Sequence, residues 1–439
     1  MPTVLPSVLD GRPLPLPRDT YQVPGVIGVP SLDPPDAPRD VLPEWAVRLL
    51  DSGTLAVERT RDGELEEQTR HGQQQLQTGV YAEGLAGERR PKVLVDAFVG
   101  RGPFHAPGAV VTALREHRPD LQVVWALRDE SLPPPPGVTP VSRGSAAWYG
   151  HLATASHVLT NGTLPRWHRK PPGQRIVQLW TGTPLLRFGY AVPPGETGYG
   201  PGQRQLAGDA ARWDVLCTGS AEATAWFREA THYEGEVREV GHPAVDAYRA
   251  DDRAARAAEA RRRLGIGDGP VLLYAPTTRH AVRAHTRRDK VVDLDVAALR
   301  EAVPGLTVLH RGHPNTANRA VLGPESGMLD VTLYPELSDL VLLADAVVSD
   351  FSSLVVDVLA SDTPLALFVP DREEFEDVGW FVDLFADPPG PVATTTEGLV
   401  PWLTDGLGTH YPGRDALRAR LLPLDDGHAA ERVVASEWG

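Results

Sequence analysis

Ser349-Asp350-Phe351-Ser352-Ser353 lies between two apolar runs, Ala344 to Val348 and Leu354 to Ala360. Read as strand, polar corner and helix, the stretch offers hydroxyls and free backbone N–H groups to an anion, and the helix dipole adds positive potential. Ser and Asp are also ordinary capping residues, so on its own the stretch reads first as a plain N-cap. Two more corners change that balance. Tyr274-Ala275-Pro276-Thr277-Thr278-Arg279 follows the apolar run Val271 to Leu273, and Arg311-Gly312-His313-Pro314 follows Leu306 to Leu309. Three strand ends in succession thus carry hydroxyl, guanidinium, imidazole and helix N-terminus. Open α/β sheets bind ligands at strand ends facing one crevice. This mixture of groups suits a phosphorylated nucleotide.

The elements that must hold these corners alternate along the chain. Residues 1 to about 45 are Pro-rich and read as an irregular arm; residues 46 to 85 are polar, with helix expected around Trp45 to Leu50 and at Gln73 to Gln77. Strands are expected at Val93 to Val95, Val123 to Leu127, His157 to Leu159, Ile176 to Leu179, Asp214 to Cys217 and Val237 to Val240, with helices between them. A charged helix, Asp251 to Leu264, leads to a second unit that begins near Gly269. The expected domains are therefore an extension over 1–85 and two Rossmann-like units over 86–250 and 251–439. Such alternation implies parallel sheets with helices on both faces.

The chain has 439 residues, too many for one ordinary core. A single cysteine, Cys217, excludes an intramolecular disulfide and a Cys-cluster metal site. Together with a start that lacks the basic-then-apolar order of a signal peptide, it points to the cytoplasm. The net charge of −15 argues against nucleic acid as a partner. Two basic clusters stand out against it: Arg279, His280, Arg283, His285, Arg287, Arg288 and Lys290; and Arg166, His168, Arg169, Lys170 and Arg175. The second fits solvated loop charge and anion contact equally. The first, beside the expected phosphate site, fits an anionic substrate better.

The ordered set of motifs resembles the CDP-glycerol glycerophosphotransferases, which build teichoic acids and related phosphodiester polymers. That family reads roughly Tyr-Ala-Pro-Thr-x-Arg, then Arg-x-His-Pro, then Thr-Asp-Tyr-Ser-Ser. Earlier, Trp180-Thr181-Gly182-Thr183-Pro184-Leu185 resembles Trp-His-Gly-Thr-Pro-Leu, and Gly241-His242-Pro243 with Asp246 resembles Gly-Tyr-Pro-Arg-Asn-Asp. The resemblance covers roughly residues 75 to 425, in collinear order.

It implies a GT-B fold, two Rossmann-like domains facing a cleft. The implied reaction moves glycerol phosphate, or a related polyol phosphate, from a CDP-alditol to an acceptor hydroxyl, releasing CMP. A lipid-linked acceptor and peripheral contact with the inner face of the membrane are implied too. No cofactor and no metal are expected. Catalysis of this kind is mostly positioning and electrostatic stabilisation. His313 would donate to the pyrophosphate, and Ser352, Ser353, Thr277 and Arg279 would bind its oxygens or the nucleotide. Arg311 adds fixed charge or anchors its loop. Asp350, an anion itself, caps the helix or orients His313 or a ribose hydroxyl. Gly182, Thr183 and Pro184 belong to the acceptor side.

One departure weighs against the agreement. The family's candidate general base is the His of Trp-His-Gly-Thr-Pro, and this chain has Thr181 there. A threonine hydroxyl is no base near neutral pH, and lost general-base help costs about 10²- to 10⁴-fold. Asp96 and His242 are the alternative bases. Ala244 and Val245 also replace Arg and Asn of the later block. Two other readings therefore stand beside the transferase: a catalytically impaired nucleotide-binding scaffold, and a GT-B glycosyltransferase using a nucleotide sugar.

Overall fold

The computed structural model describes residues 3–5, 8–9, 12–13, 45–49, 55–59, 67, 69–101, 104–128, 134–194, 202–277, 294–312, 326–332, 334–372 and 379–439. Two sheets dominate, and every pairing within them is parallel.

The first sheet comprises β1 (Arg90–Asp96), β2 (Gln122–Leu127), β3 (Thr139–Ser142), β4 (Ala155–Thr160), β5 (Arg175–Gln178), β6 (Val215–Thr218) and β7 (Glu236–Glu239). Their spatial order is β7-β6-β5-β4-β1-β2-β3. The second comprises β8 (Val271–Tyr274), β9 (Thr307–His310), β10 (Leu329–Asp330), β11 (Ala346–Ser349), β12 (Leu365–Phe368) and β13 (Val392–Ala393), in the order β10-β9-β8-β11-β12-β13. Val93, Leu94 and Val95 of β1, like Val347 and Val348 of β11, are wholly buried. Apolar side chains on both faces are what a parallel sheet between two helix layers demands.

In each sheet the strand order reverses once, between β1 and β4 in the first and between β8 and β11 in the second. Ligands of open α/β sheets bind outside the carboxyl ends at such switch points. Helix α1 (His105–His117) follows β1 and α2 (Leu354–Ala360) follows β11. The β1–α1 and β11–α2 corners are thus the ones a cleft ligand would meet.

The halves are stitched together. Phe104 N donates to Pro335 O at 2.9 Å, Phe381 N to Leu185 O at 2.8 Å and Arg187 N to Gly379 O at 3.1 Å. Leu185, Val245 and Tyr248 bury into the second unit's core. In return the last helix, α3 (Ala429–Trp438), crosses back: Val433, Val434 and Trp438 pack with β1 and α1. Arg118 Nη1 donates to Trp438 O at 2.6 Å, and Glu437 pairs with Arg175 and Arg238. The second unit as drawn from sequence thus ends in a helix that completes the first.

The helix expected around Trp45 to Leu50 is instead a strand, Trp45–Leu49, paired antiparallel with Leu55–Arg59. Local pattern could not decide this. The partner strand supplies the backbone hydrogen bonds that a short helix would make only weakly on its own. The Gln-rich segment is helical, over Arg70–Leu76, and runs into a wider turn at Gln77–Tyr81.

Candidate functional site

A cavity of about 530 Å³ lies between the two sheets. From the first half it is lined by Phe98, His105, Trp180, Thr181, Gly182 and Pro184, among others. From the second come Thr277, Arg311, Gly312, Ser352, Ser353 and Asp357. Seven residues singled out from sequence therefore share one wall: Thr181, Gly182, Pro184, Thr277, Arg311, Ser352 and Ser353.

The corners of the second unit are braced from behind. Asp350 is buried and accepts from Thr277 N at 2.9 Å, Thr277 Oγ1 at 2.7 Å and Ser352 N at 3.2 Å. Its carboxylate ties the β8 corner to the β11 corner. Ser349 Oγ adds a bond to Ala275 O at 2.8 Å, and Ala275 N donates to Val348 O at 2.9 Å. These contacts make Asp350 a brace between the two corners. Arg311 likewise anchors: its Nη1 donates to Val331 O at 2.7 Å and Tyr334 O at 2.5 Å. Burial lowers its pKa to about 10, which leaves it cationic at neutral pH beside the cavity. Arg279, His313 and the basic run from Arg279 to Lys290 lie outside the described residues; Arg311 and Gly312 lead to His313.

The corners of the first unit are strained. Phe98, Val99 and His105 in the β1–α1 loop have φ of 47°, 60° and 43°, and Trp180 has φ of 55°. Non-glycine residues adopt this region only when their surroundings impose it, and such strain clusters at functional sites. Asn161, at the end of β4, imposes part of it by accepting from Phe98 N at 2.8 Å. Gln178 accepts from Trp180 N at 2.8 Å. The Trp180 ring packs against Phe188, Trp213 and Phe227. Thr181 projects from this anchored turn and is exposed. Thr183 is buried and not on the cavity wall.

The two alternative bases take other positions. Asp96 is buried, its carboxylate 3.0 Å from Arg143 Nε, and it does not line the cavity. Asp96 is thus ion-paired and stands off the cavity wall. His242 is buried too, with Nε2 2.8 Å from Asp357 Oδ1. His105 Nε2 takes the other oxygen, Oδ2, at 3.2 Å. Burial alone would raise the Asp357 carboxyl, but the His242 charge and the two imidazole bonds hold it well below the usual carboxylate range. Burial pulls His242 down, and the Asp357 charge more than offsets this, leaving its pKa raised.

Among the described residues these three are a group whose ligand atoms lie within 4.8 Å of one another, a spacing open to a divalent cation. Each carboxylate oxygen already accepts an imidazole N–H, so the group is complete as a hydrogen-bonded triad. Sequence reading missed it because its members converge only in the fold. His242 was singled out as a candidate base, and Asp357 left a weaker signal: it stands one helical turn after Ser353, on the same face. His105 left none.

The comparisons with known proteins agree with this geometry. A family profile described as "CDP-Glycerol:Poly(glycerophosphate) glycerophosphotransferase" matches residues 87–438. The chain is similar to the teichoic acid poly(glycerol phosphate) polymerase of Bacillus subtilis (strain 168), with 29% identity over 363 residues, 79% of this chain and 48% of that protein. It also resembles the teichoic acid glycerol-phosphate transferase of Staphylococcus aureus (strain NCTC 8325 / PS 47), 27% identical over 361 residues, covering 78% of this chain and 91% of that one. The match thus spans about half the length of the first of these relatives. The solved structure of the wall teichoic acid polymerase TagF superposes with a TM-score of 0.71 at 23% identity, over 86% of this chain and 97% of that one. At that identity the likeness speaks for the fold: a GT-B arrangement.

Proposed function

The chain belongs to the CDP-glycerol:poly(glycerophosphate) glycerophosphotransferase family, and from that premise we propose that it transfers glycerol phosphate, or a related polyol phosphate, from a CDP-alditol to an acceptor hydroxyl. The observation that carries this reading is the cavity at both switch points, walled by Thr277, Arg311, Ser352 and Ser353 on one side and by the Thr181–Pro184 turn on the other. The first set offers hydroxyls and a fixed cation to a pyrophosphate. The second stands where an acceptor hydroxyl would approach the transferred phosphorus.

In this reading the donor's pyrophosphate lies against the β8 and β11 corners. Arg311 offsets its charge, and Ser352 and Ser353 donate to its oxygens. His313, two residues beyond Arg311, eases the departure of CMP. The two halves hold donor and acceptor face to face, and most of the acceleration comes from that positioning and from charge placed where the transition state needs it. The product would enter a teichoic-acid-like polymer. Among the described residues no helix is long and apolar enough to cross a membrane.

A thermal-shift panel of CMP, CDP-glycerol, CDP-ribitol and common nucleotide sugars tests the donor assignment. Ligand that binds the native state raises the melting temperature by mass action. CDP-alditols should give the largest shift. A larger shift with a nucleotide sugar would favour the glycosyltransferase reading instead.

A further inference from the structure

We propose that His105 is the general base of this site: its Nδ1 takes the proton from the acceptor hydroxyl, while Asp357 fixes its tautomer and His242 positions Asp357. The inference rests on the transferase reading above and names the group that stands in for the base missing at Thr181.

Four observations carry it. His105 lines the same cavity as Ser352, Ser353 and Thr181. Its Nε2 lies 3.2 Å from Asp357 Oδ2, and the other carboxylate oxygen takes His242 Nε2 at 2.8 Å. An ionised carboxylate only accepts, so Nε2 of His105 carries the ring proton and the neutral ring keeps its lone pair at Nδ1. That Nδ1 is buried and has no hydrogen-bond partner among the described residues. Buried polar atoms are almost always paired; this one belongs to a residue of the cavity wall, and in this reading its partner is the acceptor hydroxyl. Finally, the residue sits at φ 43°. A side chain is held in a left-handed conformation only where its surroundings impose it, and here they impose it on a histidine of the cavity wall.

An imidazole oriented by a carboxylate at one nitrogen and free at the other is the arrangement that activates hydroxyl nucleophiles elsewhere. Here the acceptor O–H bond breaks and its proton passes to Nδ1. The acceptor oxygen forms the new P–O bond to the phosphorus bearing the glycerol. The P–O bond to the bridging oxygen breaks, and CMP leaves with that electron pair. His105 then returns the proton to solvent. Asp357 and His242 stay behind the reacting atoms and act only through His105.

The experiment uses the full chain, CDP-glycerol and a soluble glycerol-phosphate acceptor, and reads acceptor-dependent CMP release. His105→Gly is the first variant, since glycine suits the left-handed backbone there. It should lose about 10²- to 10⁴-fold in kcat, keep its thermal shift with CDP-glycerol, and regain at least about tenfold when imidazole is added, as expected of a missing general base. A merely structural histidine would not respond to free imidazole. His105→Gln, which keeps an N–H donor for Asp357 but no base, should lose as much without rescue. It also decides the matter if the glycine variant fails to bind donor. Wild-type-like CMP release in His105→Gln, or a glycine variant that binds donor but gains nothing from imidazole, overturns the proposal. A wild type that releases no CMP overturns the parent reading, and this one with it; the two failures are thereby told apart.

Discussion

Gly182 and Ser353 meet across the cleft: a Cβ on Gly182 would stand 3.0 Å from Ser353 Oγ and 3.2 Å from its Cβ. Gly182 also has φ of 135°, where side chains are rarely tolerated. The Thr181–Pro184 turn and the β11–α2 corner can touch only because this residue has no side chain. Gly182→Ala should therefore cost about 1–3 kcal/mol in stability from strain alone. It should also push Ser353 off its place and reduce donor affinity. Urea unfolding and the CDP-glycerol thermal shift measure the two effects, and a variant that matches wild type in both would remove the close approach from the account.

Asp350 fastens the two donor corners through Thr277 and Ser352. Asp350→Ala would strip Thr277 N–H and Oγ1 of these bonds, a loss of at least about 2 kcal/mol. Donor binding should weaken with it, because Thr277 would lose these anchors on the cavity wall. Asp350→Asn keeps an acceptor oxygen and should lose less in both stability and donor shift.

The His242–Asp357 pair sets a pH window for stability. The folded-state pKa of Asp357 is depressed, so its contribution is present above the unfolded carboxylate range, near ~4, and is lost as pH falls. That of His242 is raised, so its contribution is full below ~6.5 and is lost as pH rises through the folded value. Replacing Asp357 with Asn should accordingly cost most near pH 5.5, about 3–5 kcal/mol, and less at pH 3 and pH 8. Denaturant titrations of both proteins at the three pH values check this; a pH-independent difference would mean the pair is not charged.

Thr181→His, which restores the family residue, should change wild-type kcat little, within about threefold, if a base already serves the cavity. In a His105→Gly background the same substitution should raise acceptor-dependent CMP release at least about tenfold. Parallel assays of the single and double variants decide it. A large gain in the wild-type background would mean that no base is in place.

Much of the fold could be read from the chain because apolar runs and polar corners alternate at the spacing of parallel α/β units. The strands expected at Val93 to Val95 and Val123 to Leu127 lie within the strands Arg90–Asp96 and Gln122–Leu127. The short strands Thr139–Ser142 and Val392–Ala393 were not anticipated: neither is a long apolar run, and each is defined by the strand beside it. The return of α3 to the first sheet leaves no local trace either. At the site, Thr277, Arg311, Ser352 and Ser353 were legible because they stand directly after apolar strands. His105 and His242 were not legible as a pair, since they lie far apart in sequence and meet only through Asp357. The partner of Asp96, Arg143, could not be read from its place at a strand end, because it is supplied from another loop.

The central claim is that this cavity moves a polyol phosphate out of a CDP-alditol. Chromatographic measurement of CMP from CDP-glycerol, with and without a glycerol-phosphate acceptor, tests it most directly. The account predicts CMP release that depends on the acceptor and is matched mole for mole by new phosphodiester. Binding of CDP-glycerol with no acceptor-dependent CMP would contradict it and leave a nucleotide-binding scaffold as the better description.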